Sequence, residues 1–220
     1  MKRLLALDTT TEACSAALWS EGGIVSDRFV VEPRGHTQRL LPMIDSLLAD
    51  AGWTLSDLDG IACTRGPGSF TGVRVGVSAA QGLAFAADLP VMALSTLAVL
   101  AWQGRALAPQ YERWQVAMDA RMGEIYTAAW QVDPQGLTEL EPEALMAPDQ
   151  LQVRSADTAC GRIGAGWALP PLDRWGSTVA ENLPSARYAA TLAGLLAARD
   201  PSIWGTPDQL QPVYLRDRVT

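Results

Sequence analysis

Short apolar runs and stretches of helical periodicity alternate through the first half of the chain. Five mostly apolar runs predict β-strands: residues 4–7, 14–20, 24–31, 60–64 and 91–94. Apolar positions spaced three and four apart predict helices over 37–50 and 70–87, with a further helix beyond Ser95. A strand hairpin that leads into alternating helices and strands indicates a mixed sheet with helices on its faces.

The second half of the chain repeats the beginning of the first. A constant, ungapped shift places Ala6-Leu7-Asp8 on Ala117-Met118-Asp119, and Ala17-Leu18-Trp19 on Ala128-Ala129-Trp130. Hairpin turns follow in both copies. A duplicated strand–turn–strand plan explains these matches better than coincidence, so we expect two related lobes.

The rest of the second half is less regular. Residues 137–148 are punctuated by prolines and predict a connection, 161–167 predict a strand, and 185–199 predict a helix. We expect an N-terminal lobe over 1–105 and a C-terminal lobe over 106–220. The last helix and tail are free to pack back on the N-terminal lobe.

Composition excludes several kinds of active site. The 17 basic and 24 acidic residues give a net charge of −7, which argues against autonomous nucleic-acid binding. Lys2 is the only lysine and lies outside any glycine-rich turn, so a P-loop is absent. The only histidine, His36, cannot form a zinc site that needs two histidines. No nearby spacing supplies it with a nucleophile and an orienting acid.

The cysteines and the apolar stretches indicate the cellular compartment of the protein. Cys14, Cys63 and Cys160 have no C-x-x-C spacing, which argues against a disulfide framework and a thiolate metal site. The apolar core of residues 1–8 is too short for a signal peptide, and the uncharged stretch 89–104 is too short to span a membrane. We expect a cytoplasmic protein with no membrane contact.

A glycine-rich segment separates the fourth predicted strand from the helix after it. Gly66-Pro67-Gly68-Ser69 lies where the amides of a helix N-terminus can meet an anion. The segment is neither a dinucleotide fingerprint nor a hydrolase elbow, because Thr71 and Pro67 break those two patterns. The alternative is a structural loop whose helix is capped by Ser69 or Thr71.

The helix that follows contains a stripe of small residues. Gly72, Gly76 and Ala80 lie four apart on one face, which allows a close approach by a partner helix or by the domain's own sheet. Each glycine costs a helix roughly 1 kcal/mol relative to alanine, so packing must offset that cost. Both alternatives stay open at this point.

The first strand is followed by a short polar segment, Asp8-Thr9-Thr10-Thr11. This segment suits a nucleotide phosphate, with Asp8 placed for Mg²⁺. Its residues can also simply cap a turn. The second copy has Asp119-Ala120-Arg121 in the same place, so its hydroxyls are absent. A two-lobed phosphotransferase would need phosphate-binding hydroxyls in both loops. Their absence from the second loop weakens the catalytic interpretation.

Together these segments resemble the bacterial TsaB (YeaZ-type) family, accessory subunits in making threonylcarbamoyladenosine at adenosine 37 of tRNA. The matching segments cover the chain in order: Leu7-Asp8-Thr9-Thr10, residues 36–42, residues 66–76, Met118-Asp119-Ala120-Arg121 with Glu124-Ile125-Tyr126, and residues 212–216. The resemblance implies an actin/sugar-kinase/Hsp70-like (ASKHA) fold, an α/β architecture of two related lobes.

The resemblance also implies a non-catalytic role. A family member forms a heterodimer with a TsaD-type catalytic subunit, stabilises and orients it, and works with a TsaE-type ATPase. It can homodimerise through the same N-terminal helices, and it reaches tRNA only indirectly. It needs no cofactor of its own, although ATP or ADP can bind in the complex. The catalytic relative's H-x-x-x-H metal motif is impossible here, since His36 stands alone.

The resemblance places a partner interface on the two N-terminal helices, while the residue types alone suggest a nucleotide or phosphate site after the first strand. The interface residues would be His36, Leu40, Leu41, Ile44, Gly72, Val73, Gly76 and Ala80. The phosphate site would be Asp8, Thr9 and Thr10. The alternative function is a small-molecule phosphotransferase of the same fold that uses ATP and Mg²⁺ at the Asp8 loop. A metallopeptidase, a group catalogued near this family, is disfavoured by the single histidine.

Overall fold

The chain builds two separate β-sheets, one in each of two units. The computed structural model describes residues 2–154 and 159–216. Unit 1 comprises Met1–Thr96 with Pro184–Val213, and unit 2 comprises Leu97–Leu183 with Tyr214–Thr220. The boundary therefore lies after Thr96 rather than after residue 105, and the last helix belongs to unit 1.

Unit 1 has a five-stranded mixed sheet in the order β3-β2-β1-β4-β5. The first three strands are antiparallel neighbours, whereas β4 runs parallel to both β1 and β5. Its elements are β1 (Arg3–Asp8), β2 (Ala13–Ser20), β3 (Gly23–Val31), α1 (His36–Ala51), β4 (Gly60–Thr64), α2 (Phe70–Ala87), β5 (Val91–Leu94) and α4 (Ala186–Arg199).

Helices cover both faces of this sheet. On one face, α1 and α2 pack against Leu5, Leu7 and Ile61 in the main hydrophobic core. On the other, α4 packs against β1 and β2, because strand side chains alternate between faces. The ring of Trp19 lies so close to α4 that a Cβ on Gly194 would be 2.6 Å from it. The inner strands β1 and β4 are therefore buried on both sides.

Unit 2 has a four-stranded sheet in the order β8-β7-β6-β9. Its elements are α3 (Thr96–Leu107), β6 (Arg113–Arg121), β7 (Glu124–Asp133), β8 (Gly136–Met146) and β9 (Cys160–Ile163). Apolar residues of α3, including Leu97 and Leu100, pack on Trp114 and Val116. Short 3₁₀ turns complete the two units: Leu55–Asp57, Pro148–Gln150, Ala165–Ala168, Leu172–Arg174, Pro201–Ile203 and Pro207–Gln209.

The predicted duplication is confirmed at the level of topology. In each unit an antiparallel three-stranded meander precedes a strand parallel to its first member: β1 with β4, and β6 with β9. The ungapped alignment of the second strands is wrong by one residue, however. Ala6 pairs with Ala17, but Ala117 pairs with Thr127 and not Ala128.

Two elements of unit 2 differ from their predictions. Residues 137–148, predicted as a connection, contain most of β8. Pro142 is tolerated because β8 is an edge strand, which needs one side of its hydrogen-bonding groups unpaired. The strand predicted over 161–167 ends at Ile163, because Gly164 has a φ of +112° and turns the chain into a 3₁₀ helix.

Among the described residues, no helix is both long enough and apolar enough to cross a bilayer.

Candidate functional site

The turn between β1 and β2 holds the three residues predicted to bind phosphate, and all three are buried. Asp8, Thr9 and Thr10 expose 0%, 1% and 0% of their surface. The Asp8 carboxylate accepts hydrogen bonds from the Thr10 backbone N–H at 3.2 Å and from the Thr10 hydroxyl at 3.1 Å. Burial raises the pKa of Asp8 to about 6, against hydrogen bonds from Thr64 and Thr10 that lower it.

The remaining polar groups of this turn bind other parts of unit 1. The Thr9 hydroxyl donates to the Gly72 carbonyl at 2.7 Å, and the Thr10 carbonyl accepts from the Ser69 N–H at 2.7 Å. These bonds lie within the protein, which favours a closed turn over the predicted nucleotide or phosphate site at Asp8, Thr9 and Thr10.

The glycine-rich loop is structural in this arrangement. Gly66 has a φ of +105°, a conformation that disfavours any residue with a side chain. A Cβ on Gly68 would lie 2.3 Å from the Thr10 carbonyl oxygen. The Pro67-containing loop thus rests on the backbone of the β1–β2 turn, and the Ser69 hydroxyl caps α2 by accepting from the Gly72 N–H at 3.4 Å.

The small-residue stripe of α2 faces the protein's own sheet. A Cβ on Gly72 would lie 2.1 Å from the Thr9 carbonyl oxygen, and one on Gly76 would lie 2.5 Å from the Thr9 hydroxyl. Val73 and Ala80 are equally buried in the core of unit 1. The expectation that these four residues contact a partner is therefore wrong, because β1 and β4 already occupy the face on which they lie.

Most of the predicted interface residues of α1 are buried as well. Ile44 packs in the core of unit 1, which corrects its assignment to a partner surface, whereas Leu40 packs in the same core and also lines the groove described below. The His36 ring is also buried, with Nε2 3.2 Å from the Ala13 carbonyl oxygen. Because a carbonyl oxygen only accepts, Nε2 carries the proton. Leu41, in contrast, is 48% exposed.

The opposite sides of α1 and α2 form an open groove. It has a volume of about 490 Å³ and is lined by His36, Thr37, Leu40, Leu41, Phe70, Thr71, Arg74, Val75, Ser78 and Ala79. The Arg74 guanidinium lies 3.3 Å from the centroid of the Phe70 ring. Sequence reasoning missed the α2 side of this groove, because it followed the small residues and not the face opposite them.

The equivalent turn of unit 2 has the same carboxylate but a different setting. Asp119 accepts from the Arg121 N–H at 2.7 Å, as Asp8 does from Thr10. Arg121 and Met122 have positive φ angles, and Met122 is 68% exposed. Arg216 donates to the Ala120 carbonyl at 3.2 Å and pairs with Glu124. This turn is therefore fixed by the C-terminal tail.

Within residues 2–154 and 159–216, no three side chains among His, Cys, Asp and Glu are grouped so that they could hold a metal ion.

A mixed sheet with helices on both faces, whose leading meander recurs in a second α/β unit, defines a protein of the actin/sugar-kinase/Hsp70 class. The family model for TsaD, described as tRNA N6-adenosine threonylcarbamoyltransferase, matches residues 15–159. The solved structure of YeaZ from Pseudomonas aeruginosa has a TM-score of 0.86 and 41% identity, covering 98% of this chain and all of that one.

Two curated relatives match over nearly their whole length. The tRNA threonylcarbamoyladenosine biosynthesis protein TsaB of Escherichia coli (strain K12) is 40% identical over 225 residues, covering 99% of this chain and 96% of the relative. TsaB of Haemophilus influenzae is 40% identical over 231 residues, covering 99% of this chain and 94% of the relative. The chain belongs to the TsaB family.

Proposed function

We propose that this chain is a non-catalytic subunit in the biosynthesis of threonylcarbamoyladenosine in tRNA. Its relatives are named for that pathway, and the family model names the transferase. In this proposal the chain binds a TsaD-type transferase as a heterodimer, stabilises and orients it, and works beside a TsaE-type ATPase. ATP or ADP belongs to the assembled complex and not to this chain alone.

The closed β1–β2 turn is the observation that carries the proposal. A phosphotransferase of this class needs a carboxylate and hydroxyls that reach a nucleotide and its Mg²⁺. Here Asp8 is fully buried, and Thr9 donates its hydroxyl to α2. The corresponding positions of unit 2, Ala120 and Arg121, carry no hydroxyl at all. The structure therefore offers no support for the phosphotransferase alternative.

The groove between α1 and α2 is the surface that best suits the partner. Its rim includes the half-exposed side chains of Leu41 and Phe70. Phe85 extends the exposed apolar surface along α2 and is 84% exposed. A contiguous patch of apolar side chains at a surface marks a protein–protein contact. A second copy of the chain can use this same surface, in competition with the transferase.

The net charge of −7 makes tRNA an indirect partner in this proposal. An acidic chain releases few counterions on meeting a phosphate backbone, so most of the affinity for tRNA must come from the transferase.

A pair of charge insertions tests the docking surface. We expect Leu41→Glu to weaken binding to the purified transferase by at least about tenfold, because it places a carboxylate in an apolar contact. Val25→Glu is the matched control, since Val25 is also exposed (43%) but lies on β3, outside the groove. Isothermal titration gives both affinities. Equal affinities for the two variants would place the interface elsewhere.

A further inference from the structure

The β1–β2 turn contacts the beginning of both helices that form the groove. Thr9 bonds to α2, and Ala13, at the other end of the turn, bonds to the first residue of α1. Both contacts are buried, and the His36 ring also forms part of the groove wall. Through these contacts, one turn is hydrogen-bonded to both of the helices that form the proposed docking surface.

The contact with α2 goes beyond what the helix needs for its own hydrogen bonds. Gly72 is the third residue of α2, so its carbonyl accepts from an N–H one turn further along the helix. The Thr9 hydroxyl, at 2.7 Å, is an additional donor to that carbonyl. Gly72 and Gly76 leave no room for a Cβ against Thr9, so the first two turns of α2 lie directly on this residue.

The contact with α1 is made by the only histidine of the chain. His36 is the first residue of α1, and the Gly35 that precedes it provides no side-chain cap. The His36 Nε2–H donates to the Ala13 carbonyl at 3.2 Å. This bond attaches the start of α1 to the start of β2, much as Thr9 attaches α2 to the end of β1.

The groove begins at the helix turns that these bonds hold. Thr37 and Leu41 line it from α1, and Phe70 and Thr71 line it from α2. A shift of either helix start changes the distance between those walls. Docked surfaces pack as closely as protein interiors, so a shift of that kind weakens binding.

We propose that the β1–β2 turn sets the spacing of α1 and α2 for partner docking. Thr9 and His36 are its positioning residues. The inference rests on the proposed docking surface. It assigns the polar groups of the turn the role of holding the two helices in place for protein binding.

Thr9→Val tests the α2 contact, because valine keeps the shape of threonine and removes the hydroxyl. We expect affinity for the purified transferase to fall at least about tenfold, with Thr9→Ser restoring it to within about twofold. Thr127→Val is the matched control. Thr127 is buried in unit 2 and donates to the Val116 carbonyl at 2.8 Å, so the chemical change is the same.

His36 provides a second, independent pair of variants. His36→Leu removes the donor, and we expect it to weaken transferase binding as Thr9→Val does. His36→Gln retains an N–H that can reach the Ala13 carbonyl, and we expect it to bind within about threefold of the natural chain. Unfolding of both Thr9→Val and His36→Leu would assign these contacts to the fold alone and overturn the proposal.

Amide hydrogen exchange on the free chain separates this inference from the proposed function. We expect faster exchange at residues 72–76 in Thr9→Val, with the Thr127→Val control unchanged there. Unaltered exchange together with unaltered affinity in Thr9→Val would overturn the positioning role. Failure of the natural chain to bind the transferase would instead overturn the proposed function, whatever the exchange data show.

Discussion

The turns after β1 and β6 have the same topology and the same leading aspartate, yet they differ in nearly everything else. Asp8 is fully buried, whereas the side chain of Asp119 is 25% exposed. The first turn is fixed from inside by Thr9 and its bond to α2. The second is fixed from outside by Arg216 of the C-terminal tail.

The two turns have kept the hydrogen bond between the aspartate and the backbone N–H, but they are anchored to different parts of the protein. In both copies the carboxylate accepts from the N–H two residues later, so the turn itself is local. A glycine also lies close to the backbone of this region in each unit: Gly68 against Thr10, just beyond β1, and Gly164 against Ala117, in the middle of β6. What differs is the side-chain chemistry, which in the first turn bonds Thr9 to α2.

The largest effect is expected from adding a methyl group to the closely packed glycines. Gly72→Ala places a Cβ 2.1 Å from the Thr9 carbonyl oxygen, and backbone atoms cannot move aside cheaply. We expect a loss of more than about 4 kcal/mol in the free energy of unfolding, measured by urea denaturation. Gly164→Ala, 2.3 Å from the Ala117 oxygen and at a φ of +112°, makes the same test in unit 2.

Gly82→Ala is the control on the same helix. A Cβ there meets nothing within 4 Å, so we expect stabilisation of up to about 1 kcal/mol from the better helix former. A Gly72→Ala protein as stable as the Gly82→Ala protein would contradict the close contact between α2 and the β1–β2 turn.

Because Asp8 is buried, we expect the stability of the folded chain to depend on pH through this residue of the first turn. Its pKa is raised from 3.8 to about 6, so the folded state holds this proton more tightly than the unfolded state does. The contribution of Asp8 to stability is therefore complete below pH 4 and falls as the pH rises to 6. A shift of about two pKa units corresponds to roughly 3 kcal/mol.

Asp8→Asn removes this titration and keeps an oxygen that accepts from the Thr10 N–H. We expect the variant to gain about 3 kcal/mol relative to the natural chain between pH 4 and pH 7, measured by urea unfolding across that range. A constant difference between the two proteins over this range would show that Asp8 does not titrate with a raised pKa.

The smallest effect is expected in the second turn. Arg216→Ala removes the bonds to the Ala120 carbonyl and to Glu124, made by a side chain that is 16% exposed. We expect a loss of about 1–2 kcal/mol and faster amide exchange at residues 121–124. Exchange at residues 9–13 is the control. Equal acceleration there would mean that the two turns are not independently anchored.

Local sequence patterns were enough to predict the helices of unit 1 and much of its sheet. Residues 37–50 and 70–87 coincide with α1 (His36–Ala51) and α2 (Phe70–Ala87), because apolar spacing along a helix is a local property. The strand β8 was missed, because its Glu139, Glu141 and Pro142 suit an edge and not a buried strand.

The candidate site was harder to predict, because it depends on which side of α2 faces the sheet. Gly72 and Gly76 predict a close approach, but only the fold shows that Thr9 is the group approached. Once that face is buried, the opposite one, with Phe70 and Arg74, is left to line the groove that we propose as the docking surface. Likewise the sequence Asp-Thr-Thr fits both a phosphate loop and a closed turn, and burial alone distinguishes them.

Reconstituted tRNA modification shows whether this chain acts as a non-catalytic subunit. Threonylcarbamoyladenosine formation is measured with the purified TsaD-type transferase, the TsaE-type ATPase and tRNA, with and without this chain, and with this chain replacing the transferase. We expect product only when the transferase and this chain are both present, and none from this chain without the transferase. Product from this chain in place of the transferase, or full activity in its absence, would contradict the role of a non-catalytic subunit.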